Sequence, residues 1–283
     1  MIRLCAFSDE AAKDLKGQIS ALHRNNIHYT ELRGIDGKNV SDFTEREAKE
    51  YAAILRSENI AVWSIGSPVG KVDVNVDFEE YIDKVKRIFH SATIFEADKV
   101  RVFSFFNAHD QKDRVIGYMN RITGCARQFG LTVCHENEKD IYGDTVQRVK
   151  ELLDNVDGLE SVFDPANFIQ TGEKADYALD VLHSCTKYFH IKDVIEKTGE
   201  LVPAGFGDGD INKLIALINS DKVLTVEPHL ALFDGYADID NTQMKNKFLY
   251  KNNSQAFDAA VGALKTLLEK NNYKEIQGDF IKS

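Results

Sequence analysis

Four ionisable residues stand out by type and spacing: Glu136, Asp164, His190 and Glu227. Each follows a short apolar or β-branched run. Leu131-Thr132-Val133-Cys134-His135 leads to Glu136, Ser161-Val162-Phe163 to Asp164, Tyr188-Phe189 to His190, and Val223-Leu224-Thr225-Val226 to Glu227. A strand that packs along its length and carries charge only at its exit delivers chemistry at one end. The intervals are roughly 30 residues, the length of one strand-plus-helix unit. In a parallel α/β barrel, the C-terminal ends of successive strands converge on one face. Two glutamates, an aspartate and a histidine meeting there make an oxygen/nitrogen ligand set for one divalent cation. Taken singly, each position also fits a solvated turn or the cap of the next helix. The fourfold recurrence favours the ligand set.

The chemistry such a set supports is proton transfer α to a carbonyl. A C–H beside a ketone is a poor acid, and a cation that polarises the carbonyl helps by several kcal/mol. One carboxylate then removes the proton, and a second on the opposite face returns one, inverting the carbon. Glu136 and Glu227 fall on strands well apart around an eight-strand ring, so they flank a ligand and are the catalytic candidates. General-base help of this kind is worth about 10²–10⁴-fold.

Several polar residues near these exits are substrate-binding candidates. Lys192 reads either as a ligand to a hydroxyl or phosphate oxygen or as a surface ion pair with Asp193. Lys71 ends the loop Gly66-Ser67-Pro68-Val69-Gly70-Lys71, and such loops can cradle anions through backbone N–H groups. His229 either supports the ligands or is solvated, and Asn167 either bonds substrate or caps the sixth helix. Glu31 and Arg33 read as a structural pair at the rim. Trp63 reads as a core residue rather than a sugar-stacking one. Asp208 reads as an N-terminal group of the seventh helix rather than a ligand.

The elements that must position these residues alternate regularly. Strands are expected at Ile2–Phe7, Ile27–Leu32, Ile60–Ile65 and Lys99–Phe105, then four more ending at Glu136, Asp164, His190 and Glu227. Helices are expected at Ala11–Asn25, Thr44–Ser57, Phe78–Phe95, Gln111–Phe129, Thr145–Asn155, Ala175–Ser184, Ile211–Asn219 and Ser254–Glu269. Thr44 and Glu47 form a capping-box pattern, and Gly130 a helix stop. Val194–Gly209 reads as a long connection. Eight strands each followed by a helix, without linker or composition shift, predict a single (β/α)8 TIM barrel over 1–283, with 254–283 as closing helix and C-terminal tail. A doubly wound open sheet is the alternative, disfavoured because no Gly-x-Gly-x-x-Gly follows the first strand. The polar stretch Leu232–Asn253 reads as a lid or an oligomer contact.

Composition narrows the partners. The 283 residues are 43% hydrophobic and 28% charged, an ordinary globular profile. Net charge is -10, from 45 acidic and 35 basic side chains, which argues against polyanions such as nucleic acid. No apolar run approaches the ~18 residues of a membrane span. The start, Met1-Ile2-Arg3-Leu4-Cys5-Ala6-Phe7, enters a strand pattern directly rather than a signal peptide. Cys5, Cys125, Cys134 and Cys185 show no CxxC spacing, and three of them read as small core residues in a reducing cytoplasm.

Together these pieces resemble the sugar phosphate isomerase/epimerase family with the xylose-isomerase-like barrel. The resemblance is carried by His135-Glu136-Asn137, Phe163-Asp164-Pro165-Ala166-Asn167-Phe168, His190-Ile191-Lys192-Asp193, Pro203-Ala204-Gly205-Phe206-Gly207-Asp208-Gly209 and Val226-Glu227-Pro228-His229-Leu230. Upstream, Glu31-Leu32-Arg33 and the loop ending at Lys71 also fit. It implies one divalent metal, most often Mn2+ (with Mg2+, Co2+ or Zn2+ as alternatives), on Glu136, Asp164, His190 and Glu227. It further implies acid/base roles for both glutamates, a small carbohydrate substrate and self-association. In ketose 3-epimerases of this fold, a substrate-touching His stands three residues after the metal-binding Asp. Here that position is Asn167, so the 3-epimerase substrate pattern does not carry over directly.

The expectation is therefore isomerisation or epimerisation of a small sugar or sugar-like ketone through an enediolate. A lyase or dehydratase acting on a keto-sugar or keto-cyclitol at the same site is the first alternative. An abasic-site endonuclease needs a His-rich zinc cluster and a basic face, which eight scattered histidines and an acidic chain do not offer. A non-catalytic sugar-binding barrel is the remaining alternative, and four intact ligand candidates argue against it.

Overall fold

The computed structural model of the chain describes residues 1–231 and 248–283. Eight parallel strands close on themselves: β1 (Ile2–Ala6), β2 (Tyr29–Leu32), β5 (Ala61–Gly66), β6 (Lys99–Val102), β7 (Thr132–Glu136), β8 (Leu159–Phe163), β9 (Thr186–Ile191) and β12 (Lys222–Val226). The ring shuts through β12 against β1, in register from Ile2 opposite Lys222 to Ala6 opposite Val226. The helices α1 (Leu15–Arg24), α2 (Glu45–Ser57), α3 (Phe78–Ile94), α4 (Lys112–Gln128), α5 (Val146–Asn155), α7 (Ala175–Leu182), α8 (Ile211–Leu217) and α9 (Asn253–Lys270) pack around it. This is the expected (β/α)8 barrel.

Local chemistry accounts for the boundaries. The Thr44 side chain accepts from the Glu47 N–H and Glu47 reaches back to the Thr44 N–H, so the capping box opens α2 as anticipated. Gly130 follows α4 with φ +71°, a left-handed stop that costs glycine nothing. β6 is shorter than expected: past Val102 the backbone leaves the sheet to bond the loop after β5, Phe103 N–H to Val69 O and Phe105 N–H to Gly70 O.

The interior of the ring is solid. Cys5, Cys134, Val162, Tyr188 and Val223 form one cluster with Tyr29 and Trp63 packed against it, drawing on seven of the eight strands. Trp63 is therefore a residue of the barrel floor, with the Lys99 ammonium 3.9 Å above its ring. Cys5, Cys125 and Cys134 are buried and Cys185 is exposed.

Seven short elements lie outside the elements expected from the sequence. β3 (Gly34–Ile35) and β4 (Lys38–Asn39) make a hairpin after β2, and α6 (Pro165–Gln170) follows β8 directly. Within the stretch read as a long connection, β10 (Asp193–Ile195) pairs antiparallel with β11 (Glu200–Val202). The tail folds into a hairpin, β13 (Tyr273–Ile276) and β14 (Asp279–Lys282), and Phe280 and Asp279 pair with Ile2 and Arg3 of β1. β2 reaches only Cys5 and Ala6 of β1, so β14 fills the pairing that β2 leaves open. The lid or oligomer role read for Leu232–Asn253 falls mainly outside the described residues.

Candidate functional site

Side chains alternate along a strand, so inward positions recur every second residue. That rule lines up Lys99 and Arg101 on β6, Cys134 and Glu136 on β7, Tyr188 and His190 on β9, and Val223, Thr225 and Glu227 along and just past β12. The strands β7, β8, β9 and β12 are consecutive in the ring. Their exits bring one ligand atom each of Glu136, Asp164, His190 and Glu227 within 4.8 Å of one another. His190 is the centre, with Nδ1 3.0 Å from Glu136 Oε1 and 3.1 Å from Glu227 Oε2.

Asp164 divides its two oxygens between fold and site. Oδ1 accepts the Asn167 N–H at 3.0 Å and caps α6, with Pro165 as the first helical residue. Its backbone is bracketed by Asn137, whose side chain donates to the Asp164 carbonyl and accepts its N–H, both at 2.9 Å. That leaves Oδ2 for the cluster.

The donor set fits a divalent cation. Among the described residues, Asp164 Oδ2 and Glu227 Oε2 are buried and accept no aligned hydrogen bond. Lys192 Nζ lies 2.9 Å from Asp164 Oδ2, but outside hydrogen-bond alignment. Buried carboxylate oxygens that accept no aligned hydrogen bond are costly, and three oxygens with one imidazole nitrogen suit a first-row divalent ion. The electrostatics agree. Burial, with Glu227 and Glu136 beside it, outweighs Lys192 and pushes the Asp164 carboxyl up to about 7. Burial alone would lower the His190 imidazolium, yet Glu136, Glu31 and Glu227 raise it well above its ordinary value. The spot favours positive charge.

A cavity of about 150 Å³ opens onto this cluster, with both Glu136 and Glu227 in its wall. Arg33, Arg101, Lys71 and Phe103 also line it. Among the described residues no helix is long and apolar enough to cross a membrane.

The polar candidates are distributed differently from the sequence reading. Lys71 lines the cavity, 3.2 Å from Glu138 and over the Phe103 ring. Its loop is not an anion cradle. The N–H groups of Ser67, Val69, Gly70 and Lys71 are all spent on protein acceptors, Gly70 on the Tyr81 hydroxyl at 2.7 Å. Lys192 is not in a surface pair with Asp193. It is buried on Asp164, while Asp193, on the opposite face of the chain, accepts the N–H groups of Val194, Gly205, Gly207 and Gly209. Asn167 is buried too, and donates to Glu136 Oε1 at 3.3 Å and to the Asn137 carbonyl at 2.9 Å. It does not cap the helix at 175. His229 donates its N–H to Glu10, and its buried ring lies 3.5 Å from Glu227. Burial lowers that imidazole to about 4. Asp208 accepts the Glu196 N–H across the β10–β11 hairpin instead of serving α8.

Glu31 and Arg33 are not a pair. Both point inward from β2, but Arg33 bonds Asp9, Glu10 and Glu227, and Glu31 meets His190, Tyr188 and Thr225. Arg101, with Nε 3.1 Å from Glu136 Oε2, also went unread. Period-two alternation was the available signal: Tyr29, Glu31 and Arg33 share a face, as do Lys99, Arg101 and Phe103.

Residues 19–242 match the family described as the xylose isomerase-like TIM barrel. The chain belongs to that family. No curated protein sequence matches it. Among solved structures, the probable 3-DHS dehydratase AsbF of Bacillus anthracis superposes with a TM-score of 0.70 at 17% identity, over 94% of this chain and 98% of that one. An IolI protein with a bound zinc atom gives 0.73 at 14% identity, over 95% and 99%. An L-ribulose 3-epimerase gives 0.72 at 15% identity, over 95% and 97%. At these identities the likeness is one of fold.

Proposed function

We propose that the chain is a divalent-metal-dependent isomerase or epimerase acting on a small sugar or sugar-like ketone. One observation carries this reading: Glu136 and Glu227 belong to the ligand cluster and also line the same cavity. Glu136, Asp164, His190 and Glu227 would hold the ion, with Mn2+ as the first choice. Mg2+, Co2+ and Zn2+ also suit such donors. When bound, the ion supplies Lewis acidity toward the substrate carbonyl.

The protein's own residues supply the rest. One glutamate accepts the α-proton, the C–H electron pair becomes the carbon–carbon π bond, and the carbonyl π pair moves onto its oxygen, giving an enediolate. The other glutamate, in its protonated form, returns a proton to the opposite face and is left as a carboxylate. Arg101 and Asn167 hold Glu136, and Arg33 and His229 hold Glu227. Lys71 in the cavity wall is the substrate-binding group. Lys192, Asn167 and His229 act through the carboxylates they touch.

Elimination at the same site is the second reading, favoured by the likeness to a probable dehydratase and by Asn167 standing where ketose 3-epimerases carry a histidine. There the proton leaves as before, but the β-hydroxyl departs with a proton as water and an enone forms. A keto-sugar panel run in D2O separates the two. Deuterium on the α-carbon of recovered ketose supports proton transfer, an ultraviolet-absorbing enone supports elimination, and neither product from any substrate overturns the catalytic reading.

A further inference from the structure

Glu31 is a buried carboxylate that the mechanism above does not use. Glu31 lies on β2, across the barrel from His190, and its side chain is wholly inaccessible. A carboxylate in such a place is costly unless its lone pairs are filled. Three side chains fill them. The Tyr188 hydroxyl donates to Oε1 at 2.9 Å, the Thr225 hydroxyl donates to Oε2 at 3.2 Å, and His190 Nε2 lies 3.0 Å from Oε2. Tyr188 and His190 are two residues apart on β9, so one strand face presents both to Glu31.

An ionised carboxylate accepts hydrogen bonds and cannot donate them. With Glu31 as acceptor, the 3.0 Å contact places a hydrogen on His190 Nε2, and a cation held at Nδ1 would displace any hydrogen that Nδ1 shares with Glu136 and Glu227. The other nitrogen, Nδ1, is the one turned to Glu136 and Glu227 in the ligand cluster. An imidazole ligates through a nitrogen lone pair, and the hydrogen bond at the second nitrogen decides which one is offered. The ring is further fixed by Phe7, edge-on at 5.2 Å between centroids. Arg101 lies between the two carboxylates, its Nε 3.9 Å from Glu31 Oε1 and 3.1 Å from Glu136 Oε2.

We propose that Glu31 is a positioning residue, which holds His190 in its Nε2–H form and orientation so that Nδ1 is presented to a divalent cation. The inference rests on the metal reading of Glu136, Asp164, His190 and Glu227, and the test separates the two. Protein with 15N-labelled histidine, loaded with diamagnetic Zn2+, is examined by ring 15N–1H correlation, with His190→Gln identifying the resonance. The expected spectrum places the hydrogen on Nε2 and the metal on Nδ1, and the reverse assignment overturns the proposal without any Glu31 variant having to fold. Calorimetric titration of metal-stripped protein with Mn2+ gives the second readout. Glu31→Leu is expected to lose about 10–100-fold in affinity. Glu31→Gln, whose amide oxygen still accepts from Nε2, should recover most of it. Unchanged affinity in Glu31→Leu sinks the role of Glu31 while the metal site stands. A parent protein that takes up neither ion removes both.

Discussion

Glu136 and Glu227 both approach His190 Nδ1, at 3.0 and 3.1 Å, but the two flanks are built differently. On the Glu227 side, Arg33 is fixed before it reaches the glutamate. Its Nε and Nη2 meet Asp9 at 2.8 and 3.0 Å, Nη2 also meets Glu10 at 3.3 Å, and only Nη1, at 3.2 Å, is left for Glu227. Glu10 in turn accepts the His229 N–H, which ties this network to the chain two residues past Glu227. Burial works against the guanidinium's charge, but Asp9 and Glu10 raise its pKa. On the Glu136 side, Arg101 donates to the Ser67 carbonyl at 2.9 Å and lies 4.4 Å over the Phe103 ring. Its Nε approaches Glu136 without an aligned hydrogen bond. A saturated charge network makes Glu227 part of the fold's own support, while Glu136, apart from the shared His190, is held by Arg101 and the Asn167 amide. Chemically equal side chains thus differ in how much structure depends on them.

The hardest way to break that comparison is through turnover. Glu136→Gln and Glu227→Gln should each lower kcat by about 10²–10⁴-fold with the fold intact by circular dichroism. If either metal-reconstituted variant keeps near-parent turnover, that glutamate is at most a ligand and the two-carboxylate mechanism fails. Asp164→Ala and His190→Ala should take elemental analysis from near-stoichiometric metal in parent protein, purified without chelator, to background. Parent-like metal content in both variants would mean the cluster is misassigned.

Stability sharpens the contrast between flanks. Arg33→Ala strands Asp9, Glu10 and Glu227 without their common partner and should cost about 3–5 kcal/mol in urea unfolding. Arg101→Ala removes fewer aligned bonds and should cost about 1–3 kcal/mol. Equal losses would show that the sparse flank is as structural as the dense one.

The smallest effect lies outside both flanks and sets the scale for an ordinary surface charge. The Glu47 carboxyl is held down to about 2, chiefly by the Lys38 hydrogen bond and then by the Thr44 cap. Its folded value lies below the ordinary one near 4.5, so its stabilisation is complete above that range and is lost as pH falls toward 2. The urea midpoint of Glu47→Gln should sit slightly below that of the parent at pH 6, with the gap closing as pH falls below 4.5. A gap that widens on acidification would contradict the sign.

Much of this protein could be read along the chain because the signals are local. Thr44 and Glu47 are three residues apart, so the start of α2 follows from one turn of backbone. Each barrel strand carries its own apolar run and its own exit residue. Once the βα alternation is recognised, parallel closure forces Glu136, Asp164, His190 and Glu227 to one face without any knowledge of their contacts. Two missed elements also had local signals. Asp164-Pro165 is an N-cap followed by a first-turn proline, and Gln277-Gly278, with φ +52° and +87°, is a tight hairpin turn. The first was hidden by the brevity of α6, the second because its strand forms only where β2 leaves β1 unpaired.

Partner choice is what only the tertiary structure decided. Arg33 is two residues from Glu31 but bonds Glu227, 194 positions away, and Glu31 bonds His190, 159 positions away. Lys192 passes over adjacent Asp193 for Asp164. A strand's alternation says that a side chain points into the barrel. Which opposing charge it meets depends on strand order, register and the depth of each layer. A buried carboxylate takes the donors that geometry places within reach, whatever their distance along the chain.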